Sequence, residues 1–515
     1  MRKFFLMVII SILVFVLVAR QSLNPTVEGD LGDFTRTLDV LVPELMERYE
    51  IPGASIALAL DSQVVWAKGY GLSDKASGKP MTSDSVFQAS SISKSVTAWG
   101  VLKLVEAGKI ELDAPIEKYF NDWHLPQSEF DNNAVTIRRL LSHNAGLNVT
   151  KYSGNLPDEP LPTLLESLRE WDETGIGIHL IRQPGSKFNY SDTNFILLQL
   201  ALEEYTDEPF PDYMQREVLA PLGMDDSSYY WTDSLRSRTA VGYNALGEAW
   251  PTFRFSELSA AGLYTTAPQL THYLTAFMVG SNGEPVGRGV LTPATVATMT
   301  SPLVEITGSD RMIYSQAYGW GLFIETLSTG ELAISHMGGN EGYRSDIAAI
   351  PEKRASIAVL TNSDLGHELF ADVLTTWTTW LDCGPLMVAE TIQTARRFLL
   401  GISAMLVVWS LALAGWIAMG WKSDGRRFFL LAGRPLAWKR AAVCIILLVG
   451  LAVYWAFGDP VMQADMPSVI NWLSFGVTLL ILAVFALLAL PSARNSQVTL
   501  RKTDDAVQSE VTSVN

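Results

Sequence analysis

Four apolar runs, at positions 4–19, 398–421, 441–458 and 468–490, hold no charged residue and constrain this chain more than any other feature. A helix needs about 20 apolar residues to cross the hydrocarbon core of a bilayer, so the three C-terminal runs are expected to be transmembrane helices. The first, within residues 1–20, is shorter and follows Arg2 and Lys3, which fits either a signal peptide with Ala19 as a cleavage position or an N-terminal membrane anchor. These runs account for the chain's 48% hydrophobic content and mean hydropathy of +0.18, high for a soluble protein of 515 residues. Residues 31–382 then read as an ordinary globular domain.

Basic residues set the orientation. The loop 422–440 carries Lys422, Arg426, Arg427, Arg434, Lys439 and Arg440, and the polar tail 491–515 carries Arg494, Arg501 and Lys502, which marks both as cytoplasmic. The loop 459–467 has Asp459 and Asp465 but no Lys or Arg. This alternation places the globular domain outside the cytoplasmic membrane of a multi-pass protein, with only Arg396 and Arg397 opposing it. Cys383 is alone in the exported part, so no internal disulfide forms there. The net charge of −16 resides mainly in that part and argues against nucleic acid as a partner. The bilayer, through the C-terminal runs, is the expected partner instead.

Within the domain, Phe34, Leu38, Leu41 and Leu45 recur at helical spacing after Asp33, a candidate cap, and predict a helix over 33–50. Ile51-Pro52-Gly53 stops it, and 54–60 and 64–71 alternate as two strands. Helices are expected at 136–143, 163–171, 193–205, 209–219 and 267–279, and strands at 319–326, 332–337, 343–350 and 355–361, before a last helix at 366–381. Strands near both ends around a helical middle predict an α+β fold: one antiparallel sheet built from both termini, flanked by helices, with an inserted helical lobe.

Three short patterns bear on chemistry. Ser91-Ile92-Ser93-Lys94 sets a hydroxyl and an amine on one helix face, at the start of an apolar helix whose first amides favour negative charge. A serine there is commonly a helix cap; it is a nucleophile only if a base such as Lys94 takes its proton. Tyr190 and Asp192, in Phe188-Asn189-Tyr190-Ser191-Asp192, fit a proton shuttle and its hydrogen-bond partner, or a plain turn with an acidic cap. His336-Met337-Gly338-Gly339 follows a strand, where glycines allow close backbone approach and the Gly339 amide, with that of Ser91, suits an oxyanion.

In this order and spacing the three patterns resemble the serine β-lactamase and penicillin-binding-protein superfamily, in particular its class C β-lactamase-like branch of serine hydrolases, D-alanyl-D-alanine carboxypeptidases, aminopeptidases and esterases. The resemblance covers residues 31–382 and includes IPGASIAL at 51–58, TIRRLLSHNAGL at 136–147, PGSKFNYSDTNFILL at 184–198 and AAGLYTTAPQL at 260–270. It implies the β-lactamase/transpeptidase-like fold, Ser91 as acylated nucleophile, Lys94 as its partner in proton transfer and Tyr190 as acid and base. Asp192, His336, Gly338 and Gly339 fall on its substrate-binding and oxyanion positions, and no metal or organic cofactor is implied. His143, in LLSHNAGL, is read as structural.

Two positions depart from the family pattern. His336 replaces a usual lysine, and Asp192 a usual amide, so a fixed positive charge is lost and a carboxylate gained. Asp192 would repel an anionic substrate and hold Lys94 protonated, leaving Tyr190 as the base. The expected function is a membrane-anchored serine hydrolase of small-molecule or peptide substrates, with D-alanyl carboxypeptidase or D-aminopeptidase chemistry favoured over β-lactamase chemistry. The alternative is a catalytically idle penicillin-binding-like membrane sensor or binding protein.

Overall fold

The computed structural model describes residues 27–148, 154–175, 177–308, 315–424, 476–482 and 484. The expected leader at 1–20, the run at 441–458, most of the run at 468–490 and the tail at 491–515 lie outside them. The chain forms two units, Asn24–Gln393 and Met1–Leu23 with Thr394–Asn515.

The first unit opens with α1 (Leu31–Arg48). Asp30 caps it by accepting from the Asp33 amide while the Asp33 carboxylate reaches back to the Asp30 amide, a reciprocal box. Its apolar stripe of Phe34, Leu38, Leu41 and Leu45 is buried as the spacing predicts. After Pro52 come β1 (Gly53–Leu60) and β2 (Gln63–Asp74), joined at Asp61 and Ser62, whose φ values of 48° and 60° match the twist of a two-residue hairpin turn.

Among the described residues, nine strands form one sheet in the order β3-β2-β1-β11-β10-β9-β8-β7-β6. The remaining strands are β3 (Lys79–Pro80), β6 (Val304–Glu305), β7 (Ala317–Tyr318), β8 (Phe323–Thr326), β9 (Leu332–Asn340), β10 (Tyr343–Ile350) and β11 (Ala355–Thr361). β1 runs antiparallel to β11, with Ala54 opposite Thr361, so the two ends of the domain do build one sheet. A separate pair joins β4 (Phe87–Gln88) to β5 (Tyr264–Thr265).

Alternation along the strands sorts side chains onto two faces. Ala57, Ile347, Ala358 and Leu360 share one core with α2 (Ile92–Glu106), α3 (Asp192–Thr206) and α4 (Ala267–Thr275). Ile56, Leu58, Ala348, Ile357 and Val359 share the other with α1 and α5 (Gly366–Trp380). The expected helix at 136–143 is shorter, Ile137–Leu141, because His143 at φ 51° turns the chain out of it. Of the strand expected at 319–326 only its second half, β8, is extended; residues 319–322 form the turn from β7, in which Gly321 has φ 80°. The strand expected at 332–337 continues through both glycines to Asn340.

A final helix, α6 (Met387–Asp424), leads out of the first unit. Its stretch Met387–Gly415 is long and apolar enough to cross a membrane, and among the described residues no other helix meets that measure. It begins before the expected span at 398–421. Residues 476–482, inside the fourth apolar run, are helical.

Candidate active site

Ser91 sits where β4 turns into α2. The Ala89 amide is held by the Leu263 carbonyl at 2.8 Å, Ser90 adopts φ 53°, and Ser91 takes up helical angles. A non-glycine residue in the left-handed region stores strain and persists only where its surroundings impose it. Helix α2 imposes it here: Ile92, Ser93, Lys94 and Ser95, a full turn, are all fully buried, which fixes the helix on every side and Ser91 at its tip. Ser91 makes no capping hydrogen bond. Its Oγ instead accepts from Lys94 Nζ at 2.9 Å.

Lys94 is wholly buried. Its Nζ also donates to the Ala260 carbonyl at 2.8 Å, contacts Asp192 Oδ1 at 2.6 Å, and lies 5.2 Å from the centre of the Tyr190 ring. The lysine is thus tied to helix and loop alike. An ammonium in this setting keeps its charge only because the carboxylate comes with it.

Asp192 opens α3 without capping it. That task falls to Ser191, whose hydroxyl accepts from the Thr193 amide at 3.2 Å and donates to the Asn148 carbonyl at 2.6 Å. The Asp192 carboxylate is thereby left for Lys94. Tyr190, just before it, hydrogen-bonds the Ser91 side chain, and burial, then the Asp192 charge, push its phenol well above its ordinary range. Tyr190 therefore stands as a neutral hydroxyl at rest.

Strand β9 supplies the third side. A Cβ on Gly338 would fall 2.5 Å from the Ala89 carbonyl oxygen and 2.9 Å from Ser90 Cβ, so glycine is what lets β9 lie against the turn that carries Ser91. Gly339, the next residue, is exposed, and Asn340 ties the strand to β4 through Nδ2 and Gln88 Oε1 at 2.7 Å. Among the described residues β8 pairs with β9 only as far as Ser335, which leaves the following backbone unpaired on that side.

His336 does not line the cleft. It is fully buried, its Nδ1 donates to the Met337 carbonyl at 2.7 Å, and its Nε2 accepts from the Tyr318 hydroxyl at 3.1 Å. Burial, then the Lys94 charge, push its pKa down to about 3. The substrate-binding place given to His336 by the family resemblance is corrected on this ground: its side chain is buried in an aromatic layer, with the Phe323 ring at 5.0 Å.

Three residues matter more here than the sequence signals. His143 is fully buried, with its ring 4.3 Å from that of Tyr190. Its Nδ1 accepts from Asn194 Nδ2 at 2.8 Å and from the Ser191 amide at 3.3 Å, so Nε2 carries the proton. Tyr318 anchors His336, and no motif marks it. Glu257 precedes the helix Leu258–Ala261 that presents the Ala260 carbonyl to Lys94, and burial pushes its carboxyl up to about 7, with Asp192 adding to the rise.

A serine hydroxyl bonded to an amine and a phenol, beside a glycine strand, is suited to acyl transfer. Comparison with known proteins agrees in fold. The Beta-lactamase family model matches residues 38–375. Protein flp of Staphylococcus aureus (strain NCTC 8325 / PS 47) is 25% identical over 342 residues, 64% of this chain and 64% of its own. The chain thus spans less than two thirds of that relative's length. The unguisins hydrolase ungD' of Aspergillus campestris (strain IBT 28561) is 24% identical over 389 residues, 69% of this chain and 70% of its own. The octameric penicillin-binding protein homologue from Pyrococcus abyssi superposes with a TM-score of 0.59 at 26% identity, covering 71% of this chain and 81% of that one. With the family model matching well over half its length, this chain belongs to the β-lactamase family.

Proposed function

We propose that the protein is a serine hydrolase that cleaves an amide or ester through an acyl-enzyme on Ser91. The observation that carries this reading is the Ser91 hydroxyl itself. At a helix start it forgoes the capping bond and accepts from Lys94 Nζ at 2.9 Å. As Ser91 attacks, its proton passes toward the Lys94, Tyr190 and Asp192 group, and the same group returns a proton to the leaving group. The amides of Ser91 and Gly339 receive the oxyanion. Water then releases the acyl group.

Peptidase or esterase chemistry, of the D-alanyl carboxypeptidase or D-aminopeptidase type, ranks above β-lactam hydrolysis because His336 offers no cation to a substrate carboxylate. The catalytic domain stands on the outer side of the cytoplasmic membrane, held by α6 and the later apolar runs. A serine-directed fluorophosphonate is expected to label the full chain and not Ser91→Ala. Labelling that survives the substitution would sink the nucleophile assignment, and nitrocefin turnover at the rate of a dedicated β-lactamase would overturn the substrate ranking.

A further inference from the structure

We propose that Asp192 selects acyl donors that carry an ammonium group next to the scissile carbonyl: amino-acid amides and esters, and the free N-terminal residue of a peptide. This rests on Ser91 as the nucleophile and narrows the substrate class of that same site.

The two oxygens of Asp192 face different surroundings. Oδ1 is buried and in contact with Lys94, yet 26% of the side chain is exposed. The exposure therefore falls on the side of Oδ2, outward from the lysine. One nitrogen, Lys94 Nζ, reaches both Ser91 Oγ and Asp192 Oδ1, at 2.9 Å and 2.6 Å. The free side of the carboxylate is accordingly two hydrogen bonds away from the attacking oxygen. In an α-amino acyl donor a single carbon separates the ammonium from the carbonyl carbon. A donor placed for attack by Ser91 brings that ammonium within reach of Asp192, where a charge-assisted hydrogen bond forms.

The neighbouring charges work in the same direction. Lys94 is matched by Asp192, and Arg344, whose side chain borders Gly339, is matched by Asp364 at 3.0 Å and spent on the carbonyls of Asn340 and Tyr343. His336 is neutral and buried. A donor ending in a carboxylate near β9 meets no unmatched cation among these groups, while an ammonium meets a carboxylate with an open side. This favours cleavage next to a free amino terminus over cleavage next to a free carboxyl terminus.

The test is protection of Ser91 from fluorophosphonate labelling in the full chain by three ligands of nearly equal size, each in both enantiomers: alaninamide, N-acetylalaninamide and lactamide. Alaninamide is expected to protect at a concentration at least about tenfold lower than either of the others, the advantage of a hydrogen bond to a charged group. In Asp192→Asn that advantage should shrink to within about threefold, and a melting curve checks that the isosteric variant folds. Equal protection by all three, no protection by any, or an advantage that survives in Asp192→Asn overturns the proposal. If the variant does not fold or no longer labels, the lactamide comparison in the wild type decides alone, since it replaces only the ammonium, by a hydroxyl. Absence of labelling in the wild type is a separate failure, that of the Ser91 assignment.

Discussion

On one face of the sheet a buried amine, Lys94, meets a hydroxyl, a carbonyl and a carboxylate, all within 2.9 Å. On the other face lie two buried carboxyls, Asp346 and Glu325, and burial moves both: Asp346 well above the usual carboxylate range, with the Glu325 charge adding to the rise, and Glu325 up to about 7, with the Glu390 charge adding to it. Asp346 sits beside Met337 of β9 at a small cavity that His367 and Phe370 also line. Both faces deny ionised groups their water. Where a cation is folded in with the carboxylate, the two charges survive and polarise a neighbouring hydroxyl. Where carboxyls are folded in with each other, a proton settles on them and they become inert. Only the first arrangement stores anything that a reaction can use.

The largest effect should come from breaking the ion pair while keeping its volume. Lys94→Met removes the proton partner of Ser91 and leaves Asp192 uncompensated, and the rate of Ser91 labelling is expected to fall by about 10²–10⁴, the range of positioned acid–base groups. Asp346→Asn, the matching change on the opposite face, should leave that rate within about threefold. If the two variants lose comparable activity, the distinction between the faces is wrong.

Much of this contrast was legible beforehand. The period of Phe34, Leu38, Leu41 and Leu45 predicted α1, and the alternating strands at both ends predicted the shared sheet. That Ser91, Tyr190 and His336 belong to one region follows from the family resemblance, since each pattern is local and none by itself points to the others. The family resemblance sets Asp192 beside Lys94, and the 2.6 Å contact agrees. What sequence did not carry was depth. His336 faces an aromatic layer because of the register of β9 with β10, where it stands opposite Ile347, and register depends on residues far along the chain. Glu257 and Tyr318 were passed over for the same reason, since their neighbours at the site arrive from other elements. The shortening of the 319–326 strand to β8 turns on one left-handed glycine, Gly321, whose conformation the alternating pattern does not signal.

A moderate effect sharpens the reading of the second face. Glu325 has an ordinary value of 4.5 and is raised to about 7 by burial, with one compensating hydrogen bond from the Met387 amide at 2.9 Å. The folded chain thus binds more protons here than the unfolded chain between those two values. Its contribution to stability is fully present below pH 4.5 and is lost as pH rises through about 7. Glu325→Gln cannot ionise, so the decline of stability over this window should become shallower by up to about 1.4 kcal/mol per pH unit. Denaturant midpoints measured at intervals across the window check this, and an unchanged slope would place a solvated, ordinary carboxylate at residue 325.

The smallest effect is an absence of titration on the first face. His336 and His143 are buried beside Lys94, and burial, then that lysine's charge, lower both, His336 to about 3 and His143 well below its ordinary 6.5. Their imidazole resonances should therefore stay fixed from pH 8 to pH 5. Here the sign is the reverse of Glu325: a lowered histidine contributes stability that is present above about pH 6.5 and is lost as pH falls toward 3. The two faces then pull against each other between pH 4.5 and 6.5, the carboxyls favouring the acid side and the histidines the neutral side. A midpoint above pH 5 for either imidazole would mean that water or an anion reaches the layer beneath Ser91, and the comparison would fail at the place where it matters for catalysis, since a charged His336 would offer a substrate carboxylate the cation that the neutral one withholds.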